Sequence, residues 1–135
     1  MDLYAENILD HYRHPRAKQP LTTPTVKHEE VNLSCGDTIA LELLITDGHI
    51  TDVGWTGTGC AISQAAMSML SEELVGKSLA EMDAYKKEDI MTLLSVPIGA
   101  RRTKCALLSL HVLKNALHAF RGETMQGWAD TVGNS

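Results

Sequence analysis

Asp37-Thr38-Ile39-Ala40-Leu41-Glu42-Leu43-Leu44-Ile45-Thr46-Asp47-Gly48-His49-Ile50-Thr51-Asp52-Val53-Gly54-Trp55 is the stretch that decides the fold class. Ile39, Leu41, Leu43 and Ile45 alternate with their neighbours, which is the period of a strand with one apolar face. Asp47-Gly48 is a two-residue turn whose residues tolerate the positive φ angles of a tight hairpin. Ile50 to Trp55 is then the returning strand. A few residues later the period changes. After Gly59, the residues Ala61, Ile62, Ala65, Ala66, Met69, Leu70 and Leu74 recur at helical spacing as far as Gly76, a natural residue to follow a helix end.

Upstream, Val31 and Leu33 predict a short strand, and residues 14–27 hold Pro15, Pro20 and Pro24 and read as a long loop or crossover. Asp2 is placed to cap a first helix whose apolar face is Leu3, Ile8, Leu9 and Tyr12, ending before Pro15. Downstream, Ser78 and Glu81 form a capping-box pair for a short helix, and residues 88–95 predict another, stopped before Pro97. A last long helix starts around Arg102, carries Ala106, Leu107, Leu110, Leu113, Leu117 and Phe120, and ends at Gly122. The fold class is α+β: a small antiparallel sheet with helices packed against it, an N-terminal helix and a C-terminal helical half. Residues 1–122 are expected to form one domain. Residues 123–135 read as a mobile C-terminal tail with little to bury beyond Trp128.

At 135 residues, with 44% hydrophobic and 21% charged residues, the chain can build a real core. A net charge of −5 without a basic, aromatic-interleaved stripe argues against a nucleic-acid partner. No apolar run is long enough to span a bilayer, so no membrane role is expected. Three cysteines, an odd count, without a secretory signal suit a reducing interior, and the cytoplasm is the expected location.

Those cysteines carry the chemistry. Cys35 stands at a Gly-flanked turn before a strand, Cys60 opens a helix, and Cys105 follows Arg101, Arg102 and Lys104 near the start of another. Helix N-termini and cationic neighbours favour the thiolate, which is both nucleophile and metal ligand. Asp37 adds a carboxylate from the same turn as Cys35. Three thiolates and one carboxylate complete a four-coordinate zinc set, or an incompletely thiolate-ligated iron–sulfur site. Free cysteines often act as small buried hydrophobes, but none of these three sits at the centre of an apolar stripe. Their spacing is not that of a zinc finger or ribbon, so the fold has to bring them together.

The motifs resemble those of the U-type iron–sulfur cluster assembly proteins, the family of IscU, SufU and the N-terminal domain of NifU. Asp10-His11-Tyr12-Arg13-His14-Pro15-Arg16 is similar to the family's opening helix and following proline. Cys35-Gly36-Asp37, Gly57-Thr58-Gly59-Cys60-Ala61-Ile62-Ser63 and Lys104-Cys105-Ala106-Leu107-Leu108 resemble its three ligand motifs. The resemblance runs from about residue 3 to residue 120. It implies a SufE/NifU-like fold and a scaffold that accepts persulfide sulfur from a cysteine desulfurase and assembles or relays a cluster to acceptor apoproteins. It also implies a transient [2Fe-2S] cluster or Zn2+ at Cys35, Asp37, Cys60 and Cys105, with Cys35 and Cys105 as the candidate persulfide acceptors. Such a protein is an accessory of the desulfurase and not an enzyme with its own small-molecule turnover. IscU-type proteins have His before the third cysteine, where this chain has Lys104. They also carry a Leu-Pro-Pro-Val-Lys chaperone motif where this chain reads Ile98-Gly99-Ala100-Arg101-Arg102. Both differences resemble SufU, a zinc-dependent sulfurtransferase type, and make the dedicated Isc chaperone a doubtful partner. The 45 positions between Cys60 and Cys105 leave no room for the insertion usual in SufU, and are IscU-like.

Rival readings stand beside this one. His11 and His14 are expected to pack or cap at the first helix. His28, His49, His111 and His118 could in principle add a ligand, but His111, on one helix face with His118 and six residues beyond Cys105, is turned well away from it around the helix. Met67 and Met69 read as core filling. Arg101 and Arg102 suit either a solvated helix start or an acidic partner. A cysteine hydrolase needs a His base fixed beside its nucleophile, and no such motif is present. A purely structural zinc domain would lose its fold with its metal.

Overall fold

In the computed structural model, which describes residues 3–133, the chain runs α1 (Leu3–Arg13), β1 (Val26–Asn32), β2 (Asp37–Thr46), β3 (His49–Thr58), α2 (Ala61–Leu74), α3 (Leu79–Asp83), α4 (Lys87–Leu94), a single 3-10 turn at Ala100–Arg102, α5 (Thr103–Arg121) and α6 (Trp128–Val132). The expected cap Asp2 lies outside the described residues. The strands form one antiparallel sheet in the order β1-β2-β3. Asp47 and Gly48, with φ of 52° and 75°, make the tight hairpin between β2 and β3. Leu41 pairs with Trp55 and Leu43 with Val53, so the alternating residues share one buried face. α5 lies against β1 and β2, α2 against β3 and α5, and α1 against α2.

The opposite face of β2 is covered as well. The proline-rich segment between α1 and β1 crosses it, and the Leu21 backbone N–H donates to Glu42 Oε1 at 3.2 Å. The Trp55 indole N–H donates to the Arg16 carbonyl at 2.8 Å. Gly54 is required at this crossing, because a Cβ there would collide with the Gln19 carbonyl oxygen.

Helix boundaries follow local chemistry. Ser78 and Glu81 satisfy each other's backbone N–H groups at the start of α3, at 3.1 and 3.0 Å. Gly122, at φ 71°, ends α5.

Three expectations differ from the structure. β1 begins at Val26, and Leu33 lies in the turn after it, 90% exposed. The inward residues of β1 are Val26, His28, Glu30 and Asn32, so its buried face is mostly polar and no hydrophobic alternation marks it. Among the described side chains of α1 the buried ones are Ile8 and His11, while Leu3 and Tyr12 face solvent; His11 bonds the Ser68 hydroxyl at 2.7 Å on α2. The segment after Gly122 buries more than its composition suggests. It carries α6, whose Trp128 stacks on the His111 ring of α5 at a centroid distance of 4.0 Å.

Candidate metal centre

At one end of the sheet, the β1–β2 turn meets the N-termini of α2 and α5. The turn is closed by Asn32, whose carbonyl accepts from the Cys35 and Gly36 N–H groups at 3.2 and 2.8 Å. Gly36 takes a positive φ of 76°, which leaves Cys35 exposed at the tip. Asp37 opens β2 opposite Asn32 and is 1% exposed. Its Oδ1 accepts the Cys60 backbone N–H at 3.0 Å, and its Oδ2 lies 3.7 Å from the Cys60 sulfur. Cys60 is the residue preceding α2, where free helix N–H groups concentrate positive potential. Cys105 lies in the first turn of α5, 2% exposed.

The sulfurs of Cys35 and Cys105 are 3.1 Å apart. One ligand atom each from Cys35, Asp37 and Cys105 lies within 4.8 Å of the others. The Cys60 sulfur lies outside that group of three and reaches it only through Asp37 Oδ2. All three thiols are free. Two sulfurs and one oxygen in close reach, with a third sulfur beside the carboxylate, suit a zinc or iron centre of mixed ligation.

The electrostatics of Cys105 differ from the sequence reading. By sequence, Arg101, Arg102 and Lys104 just ahead of Cys105 give its thiol a positive field. In the structure Arg101 and Arg102 are exposed, and Lys104 Nζ sits 5.8 Å from the Trp128 ring centroid. Burial, followed by the neighbouring Cys35, Asp37 and Cys60, pushes the Cys105 thiol far above its usual range. The Asp/Glu–Lys/Arg ion pairs of the described residues lie elsewhere, at Asp10–Arg16 and Asp83–Arg121. A bound cation is the charge that would let these acceptors stay ionised side by side.

The imidazoles of His11, His28, His49, His111 and His118 are engaged with Ser68, Glu30, the Asp47 carbonyl, Thr131 and the Thr124 carbonyl. Met67 and Met69 are core residues.

Two supporting contacts escaped the sequence reading. Asn32 donates from Nδ2 to the Cys105 sulfur at 3.7 Å. Its signal was its place just ahead of a turn, where Asn side chains commonly bond the backbone. Gly59, at φ 142°, lets the chain pass so close to Asp37 that a Cβ would strike the carboxylate. The run of glycines before Cys60 was that signal.

Residues 3–126 match the family described as NifU-like N terminal domain. The chain is 31% identical to the iron-sulfur cluster assembly scaffold protein IscU of Thermotoga maritima, covering 85% of this chain and 92% of that protein. It is also 31% identical to the zinc-dependent sulfurtransferase SufU of Bacillus subtilis, covering 85% and 89%. A solved structure of a nitrogen-fixing NifU-like protein (N-terminal) from Brucella abortus matches with a TM-score of 0.74 over 90% of this chain and 96% of that chain; at 19% identity it speaks for the fold alone.

Proposed function

This chain belongs to the NifU-like N-terminal domain family, and on that premise we propose that it is an iron–sulfur cluster assembly scaffold fed with persulfide sulfur by a cysteine desulfurase. The observation that supports this reading is the unequal burial of the two sulfurs in contact. Cys105 is enclosed, whereas Cys35 stands exposed on a glycine turn 3.1 Å away. A scaffold needs one side of its site fixed and the other able to swing out.

Cys35, Asp37, Cys60 and Cys105 are the proposed ligands. A metal ion there would keep the thiols deprotonated at neutral pH. The Cys35 thiolate attacks the outer sulfur of a donor persulfide, R–S–SH. A Cys35 S–S bond forms, the donor's S–S bond breaks, and the donor leaves as R–S−, so sulfane sulfur moves without net oxidation. Reduction of that sulfur to sulfide takes two electrons per atom, supplied by an external dithiol or ferredoxin-class donor, and ferrous iron is the second substrate. Asp37 is the weak ligand, since a carboxylate holds a thiophilic centre less firmly than a thiolate.

The zinc-dependent sulfurtransferase reading shares the first step and differs afterwards, because zinc stays and sulfur passes on. The exposure of Cys35 suits both. A structural zinc role is less well supported, since the hydrophobic core closes without any of the four residues. No described helix is long and apolar enough to cross a membrane.

The deciding experiment gives the anaerobic protein a desulfurase, cysteine, ferrous iron and a reductant, then an acceptor apoprotein. A scaffold develops visible cluster absorption and loses it to the acceptor. Asp37→Ala should keep its fold and slow that transfer. Persulfide on Cys35 with zinc retained and no cluster would establish the sulfurtransferase instead, and a variant that unfolds with metal loss would establish the structural role.

A further inference from the structure

Asn32 touches both halves of the sulfur pair, and nothing in the ligand chemistry itself calls for an amide there. The residue is 1% exposed. Its carbonyl holds the Cys35 and Gly36 N–H groups, its Oδ1 accepts the Ser34 N–H at 3.3 Å, and its Nδ2 donates to Cys105 Sγ at 3.7 Å. The Cys35 sulfur has the Cys105 sulfur as its neighbour and receives no amide hydrogen among the described contacts. An N–H aimed at a thiolate withdraws charge from sulfur and lowers its nucleophilicity, just as a lower thiol pKa does.

We propose that Asn32 is a positioning residue that decides which cysteine takes the sulfur: its amide N–H quiets and anchors Cys105, and its other contacts present Cys35 as the attacking thiolate. The inference rests on the scaffold or sulfurtransferase reading above. A carboxylate at this position would supply acceptors only, next to Asp37 and three thiols. A hydrocarbon would supply neither bond. Only the amide meets both the turn's need for an acceptor and the sulfur's need for a donor.

The test compares wild type with Asn32→Asp, which keeps the acceptor for the Ser34 N–H but loses the donor, and Asn32→Leu, which is neutral and loses both. Each zinc-loaded protein is treated with inorganic polysulfide, the sulfane sulfur on each cysteine is mapped by peptide mass spectrometry, and zinc content is measured in parallel. A second aliquot receives iodoacetamide, and the alkylation rates of Cys35 and Cys105 are compared. In wild type, sulfur and alkyl groups should fall mainly on Cys35. In both variants the Cys105-to-Cys35 ratio should rise by about tenfold with zinc still bound, the scale of one lost hydrogen bond. An unchanged ratio in both variants overturns the proposal. So does loss of zinc from both, which would make Asn32 a prop for the whole site. A wild-type protein that gains no sulfane sulfur on any cysteine sinks the sulfur-acceptor reading itself, a result the variants cannot mimic.

Discussion

Two polar clusters line the inward face of β1, and they are built on opposite terms. In the first, His28, Glu30, His111, Asn115, Gln126 and Thr131 satisfy one another. Glu30 receives His28 at 2.5 Å, Asn115 at 3.0 Å and His111 at 3.4 Å; His111 Nδ1 meets the Thr131 hydroxyl at 2.6 Å, and Gln126 Nε2 donates to the same oxygen at 2.8 Å. Donors and acceptors match, and the cluster ties α6 to α5 and β1. Two residues further along β1, the second cluster holds three sulfurs and a carboxylate with an amide from Asn32 and a backbone N–H for donors. A closed network stabilises a fold. One with more acceptors than donors suits a cation.

The contrast is most exposed to failure at the cysteines. Cys60→Ser and Cys105→Ser should each weaken zinc binding by about a thousandfold, roughly a third of a typical site's free energy. Their metal-free melting temperatures should stay close to that of metal-free wild type. Chelator competition beside calorimetry measures both, and a collapse of the apo fold would erase the distinction between the clusters.

Glu30→Ala should do the reverse. It strands His28, Asn115 and His111, at a cost of about 2–3 kcal/mol in urea unfolding, and leaves zinc affinity near wild type. A Glu30 variant that loses zinc would mean that the two clusters are one unit.

A smaller effect is expected from pH. Burial lowers the His111 pKa from the ordinary 6.5, with His28 acting in the same direction and Glu30 opposing; burial also lowers that of His11. Each is kept neutral by folding while the unfolded chain takes up a proton, so their contribution is complete above about pH 6.5 and is lost as pH falls towards the folded values. The stability of the metal-free protein should therefore drop on acidification below about pH 6.5, by at most about 1.4 kcal/mol per pH unit for each proton. His111→Gln should flatten that limb in part, leaving the share of His11. A limb unchanged by the substitution would remove His111 from the explanation.

Trp128→Ala should have the mildest effect, about 1 kcal/mol for the lost stack on His111 and the freed α6. Hydrogen exchange should rise in residues 123–133 and not in the β1–β2 turn.

The sequence was most readable where apolar periodicity and turn chemistry agreed. Ile39, Leu41 and Leu43 mark β2, Asp47-Gly48 marks the hairpin, and Ser78 with Glu81 marks α3. It was least readable in β1, because His28, Glu30 and Asn32 look like a solvated face until their partners on α5 and in the last residues are known. The same blindness applied to residues 123–133, where the partner of Trp128 is an imidazole 17 positions away. At the candidate site the ligand types and their turn or helix-start settings could be read locally. Their convergence could not, nor could the way Lys104 turns from Cys105 towards Trp128.

The most direct measurement is X-ray absorption at the zinc edge on protein loaded with one equivalent of zinc. Four ligands from Cys35, Asp37, Cys60 and Cys105 predict three sulfurs at ~2.3 Å and one oxygen at ~2.0 Å, with no outer-shell scattering from imidazole. A shell containing histidine, or one with two sulfurs or fewer, would contradict the site as described.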